Sequence, residues 1–288
     1  MDNTKEIKRR ILSIESVIKT TEAMKMISVV KLKKSKNKLI QAKIYLDYIK
    51  SFFLDFEKDF LIKKKYFFSS IGKKLFIIFT SNRGLCGSFN SLIFEKINQI
   101  LKKEKDPNKC IFFSIGKKGF SFLSKKYNMY EINNSIYDYM NIFSYEERIN
   151  FVKQLIKDFF KKNFSSIYLV YNSLKNSLFQ EIIVEKFLPI VIKDLKNTKI
   201  SFSILEPSKE IILEYIILKF LNAKLLKIFL ESIASEHTAR MISMHKATEN
   251  AFDIKNNLML NYNKERQTNI TKEILEIIGG LESINNEK

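Results

Sequence analysis

Two long stretches of the chain contain neither glycine nor proline, the residues that most often end helices. The first runs from residue 1 to residue 71 and the second from residue 208 to residue 278. Five of the seven glycines and all three prolines lie between them. Because proline breaks a helix and glycine weakens one, this distribution predicts two very long helices that enclose an ordinary globular segment.

Apolar side chains recur along both stretches at the spacing of a coiled coil. The stripe in the first stretch comprises Ile7, Ile11, Ile14, Ile18, Met24, Ile27 and Val30. The stripe in the second comprises Leu226, Leu230, Ile233, His237, Met241, Met244, Ala247, Ala251, Ile254, Leu258 and Tyr262. Sustained steps of three and four residues predict that each helix pairs with a partner along a seam. We therefore expect the two stretches to pair as an antiparallel two-helix rod.

The segment between the long stretches has the pattern of an α/β domain. Aromatic and β-branched runs predict strands at 75–79, 110–114 and 167–171, with a further strand within 181–192. Helical spacing predicts helices at 91–105, 117–126 and 145–160. Alternating strands and helices imply a largely parallel sheet with helices on its faces. The predicted fold class is α/β plus a long α-helical coiled coil, with a Rossmann-like α/β domain inserted between the two long helices.

Missing motifs exclude several classes of enzyme. The two cysteines and two histidines form neither a four-thiolate zinc centre nor an HExxH motif. No glycine belongs to a GxxxxGK[ST] phosphate loop, a GxGxxG turn or a GxSxG nucleophile elbow. We therefore expect no catalytic residue, no bound cofactor and no metal ion. No segment approaches the ~20 apolar residues of a membrane-spanning helix, and the first residues lack the apolar core of a secretory signal.

The chain is strongly basic, with 50 Lys+Arg against 31 Asp+Glu and a formal net charge of +19. Such an excess is compatible with a nucleic-acid or anionic-membrane partner. The lysines are spread along the chain, however, and Asn, Ile and Phe are abundant while tryptophan is absent. An AT-rich coding sequence produces this combination. We favour the compositional interpretation, so the charge does not decide the function.

Five motifs resemble the γ subunit of the rotary F-type ATP synthase, in the same order and at the expected separations. They are KEIKRRI at 5–11, TEAMKMI at 21–27, TSNRGLCGSFN at 80–90, ASEHTARM at 234–241 and YNKERQTNITKEI at 262–274. The chain departs from the family pattern at Asn82, where an aspartate is usual, and at Ser88, where a glycine is usual. The resemblance covers the whole chain.

This resemblance implies a rotor that performs no bond chemistry. The paired helices would turn inside a ring of three α and three β subunits, and the inserted domain would rest on the c-ring of Fo beside the ε subunit. Proton-driven rotation would cycle each β site through open, loose and tight states. The implied location is the cytoplasmic face of the bacterial inner membrane, as a peripheral protein, with no nucleic-acid partner. The implied domains are a shaft helix at 1–62, an α/β foot at 70–205 and a second shaft helix at 208–284.

The family's coupling residues carry over to matching positions. Met24 and Lys25 match the segment that faces the acidic lever loop of β, and Glu236 and Arg240 match a polar contact region. Residues Arg266, Gln267 and Thr271 match the contacts to the β catch loop. Glu206 lies in Leu205-Glu-Pro207, which resembles the segment that touches the membrane ring.

Each of these positions also has a simpler interpretation. Met24 on an apolar stripe is otherwise a core residue, and Lys25, Arg266 and Gln267 are otherwise surface residues. Only the motif context reverses that interpretation. His237 on the seam is interpreted as a packed or hydrogen-bonded histidine, and Cys86 as a small buried hydrophobe.

Two other functions stay open at this point. The first is a basic coiled-coil protein that binds nucleic acid, with an affinity that falls steeply as salt rises. The second is a stand-alone α/β enzyme that uses the loop at 80–90. Neither alternative explains the ERQTNIT sequence within the last motif.

Overall fold

The structure is a computed structural model of the chain. It describes residues 2–52, 65–67, 72–104, 106–130, 144–174, 180–191, 206 and 208–286. The helices are α1 (Asp2–Phe52), α2 (Phe89–Lys103), α3 (Lys117–Leu123), α4 (Tyr145–Phe160) and α5 (Lys209–Asn286). The strands are β1 (Lys73–Phe79), β2 (Cys110–Ile115), β3 (Phe164–Leu174) and β4 (Gln180–Leu188). Short 3₁₀ turns occupy Lys65–Phe67 and Pro107–Lys109.

The chain divides into two compact units, and both long helices contribute to each. The first unit comprises Met1–Ser28 and Met241–Lys288, and the second comprises Val29–Arg240. In the part of the chain that the structure describes, no helix is both long and apolar enough to cross a membrane.

In the first unit α1 and α5 pair in antiparallel orientation. Lys255 Nζ lies 2.9 Å from Glu15 Oε1, and the Thr248 hydroxyl lies 2.8 Å from the Thr21 hydroxyl. The residue numbers rise along α5 as they fall along α1, at a nearly constant sum of 269 to 270. This register explains the periodicity of both sequences, since each helix buries one stripe against the other.

The predicted seam is wrong at three positions. Ile27, Val30 and Ile254 are 54%, 66% and 48% exposed. The buried face of α1 passes instead through Ser28, and α5 presents Lys255 to Glu15. The buried stripe therefore continues through polar residues that an apolar count skips.

The second unit contains a four-stranded sheet of order β2-β1-β3-β4, which confirms the predicted α/β class. Strand β1 is parallel to β2 and β3, whereas β4 runs antiparallel to β3. One face of the sheet packs against α4 and α5 through buried residues such as Phe151 and Phe229. The other face packs against α2 through residues such as Phe89 and Ile93. The sheet is thus a central layer between helices.

Candidate functional site

The motif at 80–90 forms the loop between β1 and α2, and its own polar side chains hold its shape. The Ser81 N–H donates to Asn90 Oδ1 at 3.0 Å, and Asn90 Nδ2 donates to Ser81 Oγ at 2.7 Å. Asn90 Nδ2 also approaches Cys86 Sγ at 3.4 Å. Burial raises the pKa of the Cys86 thiol, which is 2% exposed. These contacts agree with the interpretation of Cys86 as a small buried residue.

Hydrogen bonds join the same loop to the start of α3, which follows β2. The Gly119 N–H donates to Thr80 Oγ1 at 2.9 Å, and the Lys117 N–H donates to Asn82 Oδ1 at 3.1 Å. A Cβ atom on Gly119 would lie 2.2 Å from Ser114 Oγ, so the close approach requires glycine there. Asn82 therefore supplies a side-chain acceptor for α3, a role that an aspartate oxygen also performs.

Arg240 of α5 binds the backbone of this loop. Its Nη2 donates to the Arg83 carbonyl oxygen at 3.3 Å and to the Gly84 carbonyl oxygen at 3.4 Å. The same nitrogen lies 2.7 Å from Glu236 Oε1, one helical turn earlier. Both charged side chains are about nine-tenths buried, at 11% and 10% exposure. The structure thus joins Glu236 and Arg240 to each other and to the loop motif.

The loop presents Leu85 to solvent. This residue is 61% exposed and has φ of 62°, a left-handed conformation that non-glycine residues adopt uncommonly. It lies directly after the two carbonyl groups that Arg240 binds. Arg240 therefore holds the backbone of a loop whose apolar tip faces outward.

His237 lies beside Arg240 and is held neutral. Its Nδ1 is 3.3 Å from Arg240 Nη1. Burial, with the positive charges of Arg240 and Lys31, lowers the pKa of His237 to about 4. This position agrees with the interpretation of His237 as a packed, hydrogen-bonded histidine.

Met24 and Lys25 are half-buried on α1 in the first unit. The Met24 carbonyl oxygen accepts a hydrogen bond from Ser28 Oγ at 2.8 Å. By the register of the helix pair, Met24 lies level with residues 245 and 246 of α5. Both side chains therefore lie at the border of the seam, where one side faces α5 and the other faces outward.

Arg266, Gln267 and Thr271 are exposed on α5. The Thr271 hydroxyl donates to the Gln267 carbonyl oxygen at 2.9 Å. A helix rises 1.5 Å per residue, so Arg266 lies about 30 Å along α5 from the level of Met24. These two groups of predicted site residues are therefore not brought together.

Glu206 is exposed. Its predicted motif partners Leu205 and Pro207 lie outside the described residues, so only the position of the carboxylate itself is defined.

Sequence reasoning missed a set of partly buried charges where α5 packs on the sheet. Lys224 and Lys227 look like interruptions of an apolar run, but their ammonium groups pair with Glu185 and Glu231 at 2.9 Å and 2.8 Å. A spacing of three and four residues between Lys224, Lys227 and Glu231 is the only signal in the sequence. The partner Glu185 lies on β4, which local pattern cannot reveal.

Helix α5 lies over the place where a ligand would bind in a sheet of this kind. In α/β sheets, ligands bind at the carboxyl ends of the strands where the strand order reverses, which here is between β1 and β3. Near the end of β3 the Ser173 hydroxyl donates to Glu231 of α5 at 2.6 Å. Beyond the end of β1 the loop carbonyl groups bind Arg240 of α5. This arrangement is suited to hold a helix rather than a substrate.

A family model described as ATP synthase matches residues 3–284. The ATP synthase gamma chain of Christiangramia forsetii is 38% identical over 288 residues, covering 99% of this chain and 100% of the relative. The gamma chain of Flavobacterium johnsoniae is 37% identical over 293 residues, with the same coverage.

Solved structures share the fold. One chain of the Euglena gracilis mitochondrial ATP synthase, from a structure of OSCP, F1 and the c-ring, has a TM-score of 0.62 at 16% identity. That match covers 98% of this chain and 95% of the other. A chain of the Tetrahymena thermophila mitochondrial ATP synthase, from a structure of the central stalk and c-ring, has a TM-score of 0.53 at 21% identity. That match covers 79% of this chain and 99% of the other.

Proposed function

The chain belongs to the ATP synthase gamma-chain family, and from this membership we propose how its residues act in the complex. It is the central-stalk rotor subunit of the proton-translocating ATP synthase. It couples proton-driven rotation of the membrane ring to the conformational cycling of three catalytic β sites. Its partners are the α and β subunits, the ε subunit and the c-ring of Fo.

The observation that carries this function is the antiparallel pairing of α1 with α5. The Thr21–Thr248 and Glu15–Lys255 contacts fix the register of the pair. Continued along the helices, this register sets Asp2, where α1 begins, level with residues 267 to 268, and α5 continues beyond that level to Asn286. Five large apolar residues in that part of α5 are exposed: Ile270, Ile274, Leu275, Ile277 and Ile278. Exposed apolar side chains on a helix mark an interaction surface, and we assign the covering partner to the α/β ring.

The helix pair presents a different surface in each direction. One side of α1 carries the half-buried Lys25, and another side carries the exposed Met26 and Val30. A partner shifts a conformational equilibrium only if it interacts differently with the two states. An asymmetric pair of helices at the centre of three identical β subunits therefore stabilises a different state in each one, and turning it exchanges those states.

We propose that two groups on the helices contact β. Met24 and Lys25 face the acidic lever loop, where the Lys25 ammonium attracts carboxylates. Arg266, Gln267 and Thr271 contact the catch loop, since their exposed side chains offer charge and hydrogen bonds. Their separation of about 30 Å along the helices matches two contact levels rather than one.

Glu236 and Arg240 act on coupling through the loop at 80–90. Arg240 binds the carbonyl groups of Arg83 and Gly84, and Glu236 neutralises the buried guanidinium. Both residues therefore help to set the position of Leu85, which is available to a β subunit. Glu206 contacts the membrane ring from the segment before α5.

We further propose that the chain itself catalyses no bond chemistry and acts at the cytoplasmic face of the bacterial inner membrane. The first point is supported by α5, which lies over the carboxyl ends of β1 and β3 with Glu231 and Arg240. The peripheral position is supported by membership in a family of membrane-associated complexes. Neither the nucleic-acid alternative nor the enzyme alternative gains support from the comparisons.

The proposed function is tested by reconstitution. Purified α and β subunits are mixed with and without this chain, and ATP hydrolysis and subunit ratio are measured. We expect strong stimulation of hydrolysis and one copy of the chain per three β subunits. Failure to form a complex at both low and moderate salt would overturn the function. Binding of duplex DNA that weakens steeply with salt would favour the nucleic-acid alternative.

A further inference from the structure

A row of charged and polar side chains joins α5 to the sheet in the second unit. Lys224, Lys227 and Glu231 lie on one face of α5, at spacings of three and four residues. Glu185 of β4 and Ser173 of β3 lie opposite them. We call these five residues the ionic ladder. The Lys224 and Glu231 side chains are 13% and 12% exposed, whereas those of Lys227 and Glu185 are 21% and 36% exposed, so the ladder is partly shielded from water.

Two rungs of the ladder cross from α5 to the sheet through short contacts. Lys224 Nζ lies 2.9 Å from Glu185 Oε1. It also donates a hydrogen bond to the carbonyl oxygen of Lys186, at 2.7 Å. Ser173 Oγ donates to Glu231 Oε1 at 2.6 Å, and Lys227 Nζ lies 2.8 Å from Glu231 Oε2. Glu231 Oε1 is thereby hydrogen-bonded to the sheet, whereas Oε2 is paired with Lys227 of the same helix by charge and accepts no hydrogen bond.

The buried Tyr171 contacts both Glu185 and Lys227. Its hydroxyl donates to Glu185 Oε2 at 3.1 Å, and its ring centroid lies 5.9 Å from Lys227 Nζ. Burial has the largest single effect on the pKa of Glu185 and raises it, but the ammonium groups of Lys224 and Lys227 and the Tyr171 hydroxyl together lower it by more, so the net shift is downward. The Glu185 carboxylate therefore stays ionised within the ladder.

The ladder fixes one register between α5 and β4. Lys224 meets Glu185, whereas the Ser235 carbonyl oxygen accepts a hydrogen bond from Gln180 Nε2 at 3.0 Å. Between these contacts α5 advances about 16 Å and β4 runs back about 17 Å. The helix and the strand therefore lie antiparallel and match in length over the whole ladder.

Apolar packing between α5 and the sheet does not supply this register. Contacts such as those of Leu221, Ile228 and Phe229 with the core are non-directional. Hydrogen bonds to charged groups are directional and lose strength steeply when they lengthen. A slip of one residue moves α5 by about 1.5 Å. This shift would break the Lys224–Glu185 and Ser173–Glu231 contacts, whereas the Lys227–Glu231 pair lies within α5 and would persist.

We propose that the ionic ladder transmits torque between the α/β domain and α5, with Glu185, Lys224 and Glu231 as positioning residues for coupling. The proposal rests on the proposed function, because only a rotating subunit carries a load across this joint. ATP hydrolysis by an α/β ring with this chain, free of the membrane, puts no load on the ladder. Proton pumping in the assembled complex does.

The test replaces one rung with apolar side chains, as Glu185→Leu together with Lys224→Met. Replacing both members of an ion pair avoids leaving one charge unpaired, but the buried Tyr171 hydroxyl loses its acceptor. The variant is therefore expected to stay folded with a melting temperature a few degrees below that of the wild type. It is also expected to stimulate ATP hydrolysis by α and β subunits as the wild type does. In membrane vesicles with the complete complex, protons pumped per ATP hydrolysed are expected to fall about fivefold, the factor for about 1 kcal/mol.

A matched control is available on the other side of the sheet. Lys74 of β1 and Glu104, which follows α2, form an ion pair of 2.6 Å that does not involve α5. The complex that carries the double variant Lys74→Met, Glu104→Leu is expected to pump as many protons per ATP hydrolysed as the wild-type complex. Unchanged pumping in the ladder variant, or an equal loss in this control, would overturn the proposal.

Two milder variants keep the test decisive if the double variant unfolds. Lys224→Arg retains the charge and is expected to retain pumping, whereas Ser173→Ala removes one hydrogen bond and is expected to lower it measurably. Wild-type pumping in Ser173→Ala would then overturn the proposal. Failure of the proposed function appears separately, as a lack of ATPase stimulation by the wild-type chain.

Discussion

The hydroxyl of Thr248 lies 2.8 Å from the hydroxyl of Thr21 across the two long helices, and 2.8 Å from the Met244 carbonyl oxygen of its own helix. The Thr21 hydroxyl in turn donates to the Ile18 carbonyl oxygen at 3.0 Å. Thr248 is only 4% exposed, so this is a polar contact shielded within the seam. A single hydrogen bond of this kind restricts the helices to one register, since apolar side chains can slide past one another.

Replacing Thr248 with valine keeps the shape of the side chain and removes the contacts of its hydroxyl with Thr21 and with the Met244 carbonyl oxygen. The free energy of unfolding is expected to fall by about 1 kcal/mol, the usual net value of such a hydrogen bond. Urea unfolding followed by circular dichroism measures it. Thr20→Val is the control, because the Thr20 hydroxyl bonds only its own helix, at the Ser16 carbonyl oxygen. An equal loss in both variants would contradict a role in the seam.

The buried pair of Glu236 and Arg240 predicts a strongly non-additive pair of substitutions. Arg240→Gln leaves the Glu236 carboxylate buried without its cation, and is expected to cost about 3 kcal/mol of unfolding free energy. Adding Glu236→Gln removes that charge, so the double variant is expected to be more stable than Arg240→Gln alone. Chemical unfolding of the four proteins gives the coupling energy. Additive losses would show that the two side chains act independently.

The fold class and the long helices could be predicted because breaker-free stretches and strand runs are local features of the sequence. The seam could be predicted only in part. Met26, Ile27, Val29 and Val30 form a nearly continuous apolar run, so periodicity alone cannot select the face that is buried. The partner helix makes that selection, and it buries Ser28 instead of Ile27.

The candidate site shows the same division. The motif resemblance identifies Glu236 and Arg240, but it does not reveal that Arg240 binds backbone carbonyl groups 156 and 157 residues away. Lys224 was visible only as an interruption of an apolar run. Its partner lies on a strand whose position depends on the folded sheet, so tertiary structure alone gives Lys224 its role.

His237 predicts a loss of stability as the pH falls. Its folded pKa of about 4 lies below the ordinary value of 6.5, so the unfolded chain binds the proton more tightly. The stabilising contribution is complete above pH 6.5 and declines as the pH falls towards 4. Between pH 6.5 and pH 5 we expect a loss of about 2 kcal/mol from this group.

The measurement compares unfolding free energies at several pH values for the wild type and His237→Gln. The variant is expected to have a shallower pH dependence in this window. His245→Gln is the control, since His245 is exposed beside Glu249. A wild-type slope in the His237 variant would assign the pH dependence to other groups.

Met24→Lys adds a second cation beside Lys25 at the border of the seam. The added charge is expected to tighten the contact with the acidic lever loop of β and to impair coupling. Fewer protons pumped per ATP hydrolysed in membrane vesicles would show this. Met26→Lys is the control, because Met26 is 60% exposed on a different side of α1. Unchanged pumping in Met24→Lys would rule out the proposed contact.

Arg266 separates a contact role from a structural one, because its side chain is exposed on α5. Surface substitutions away from special features change stability by no more than about 0.5 kcal/mol, so Arg266→Ala is expected to leave the chain folded and able to assemble. ATP hydrolysis by the assembled ring is expected to fall, since a charged contact to the catch loop is lost. Lys264→Ala, an exposed neighbour outside the predicted contacts, is expected to retain activity. Loss of assembly in Arg266→Ala would show instead that the residue supports the structure of the complex.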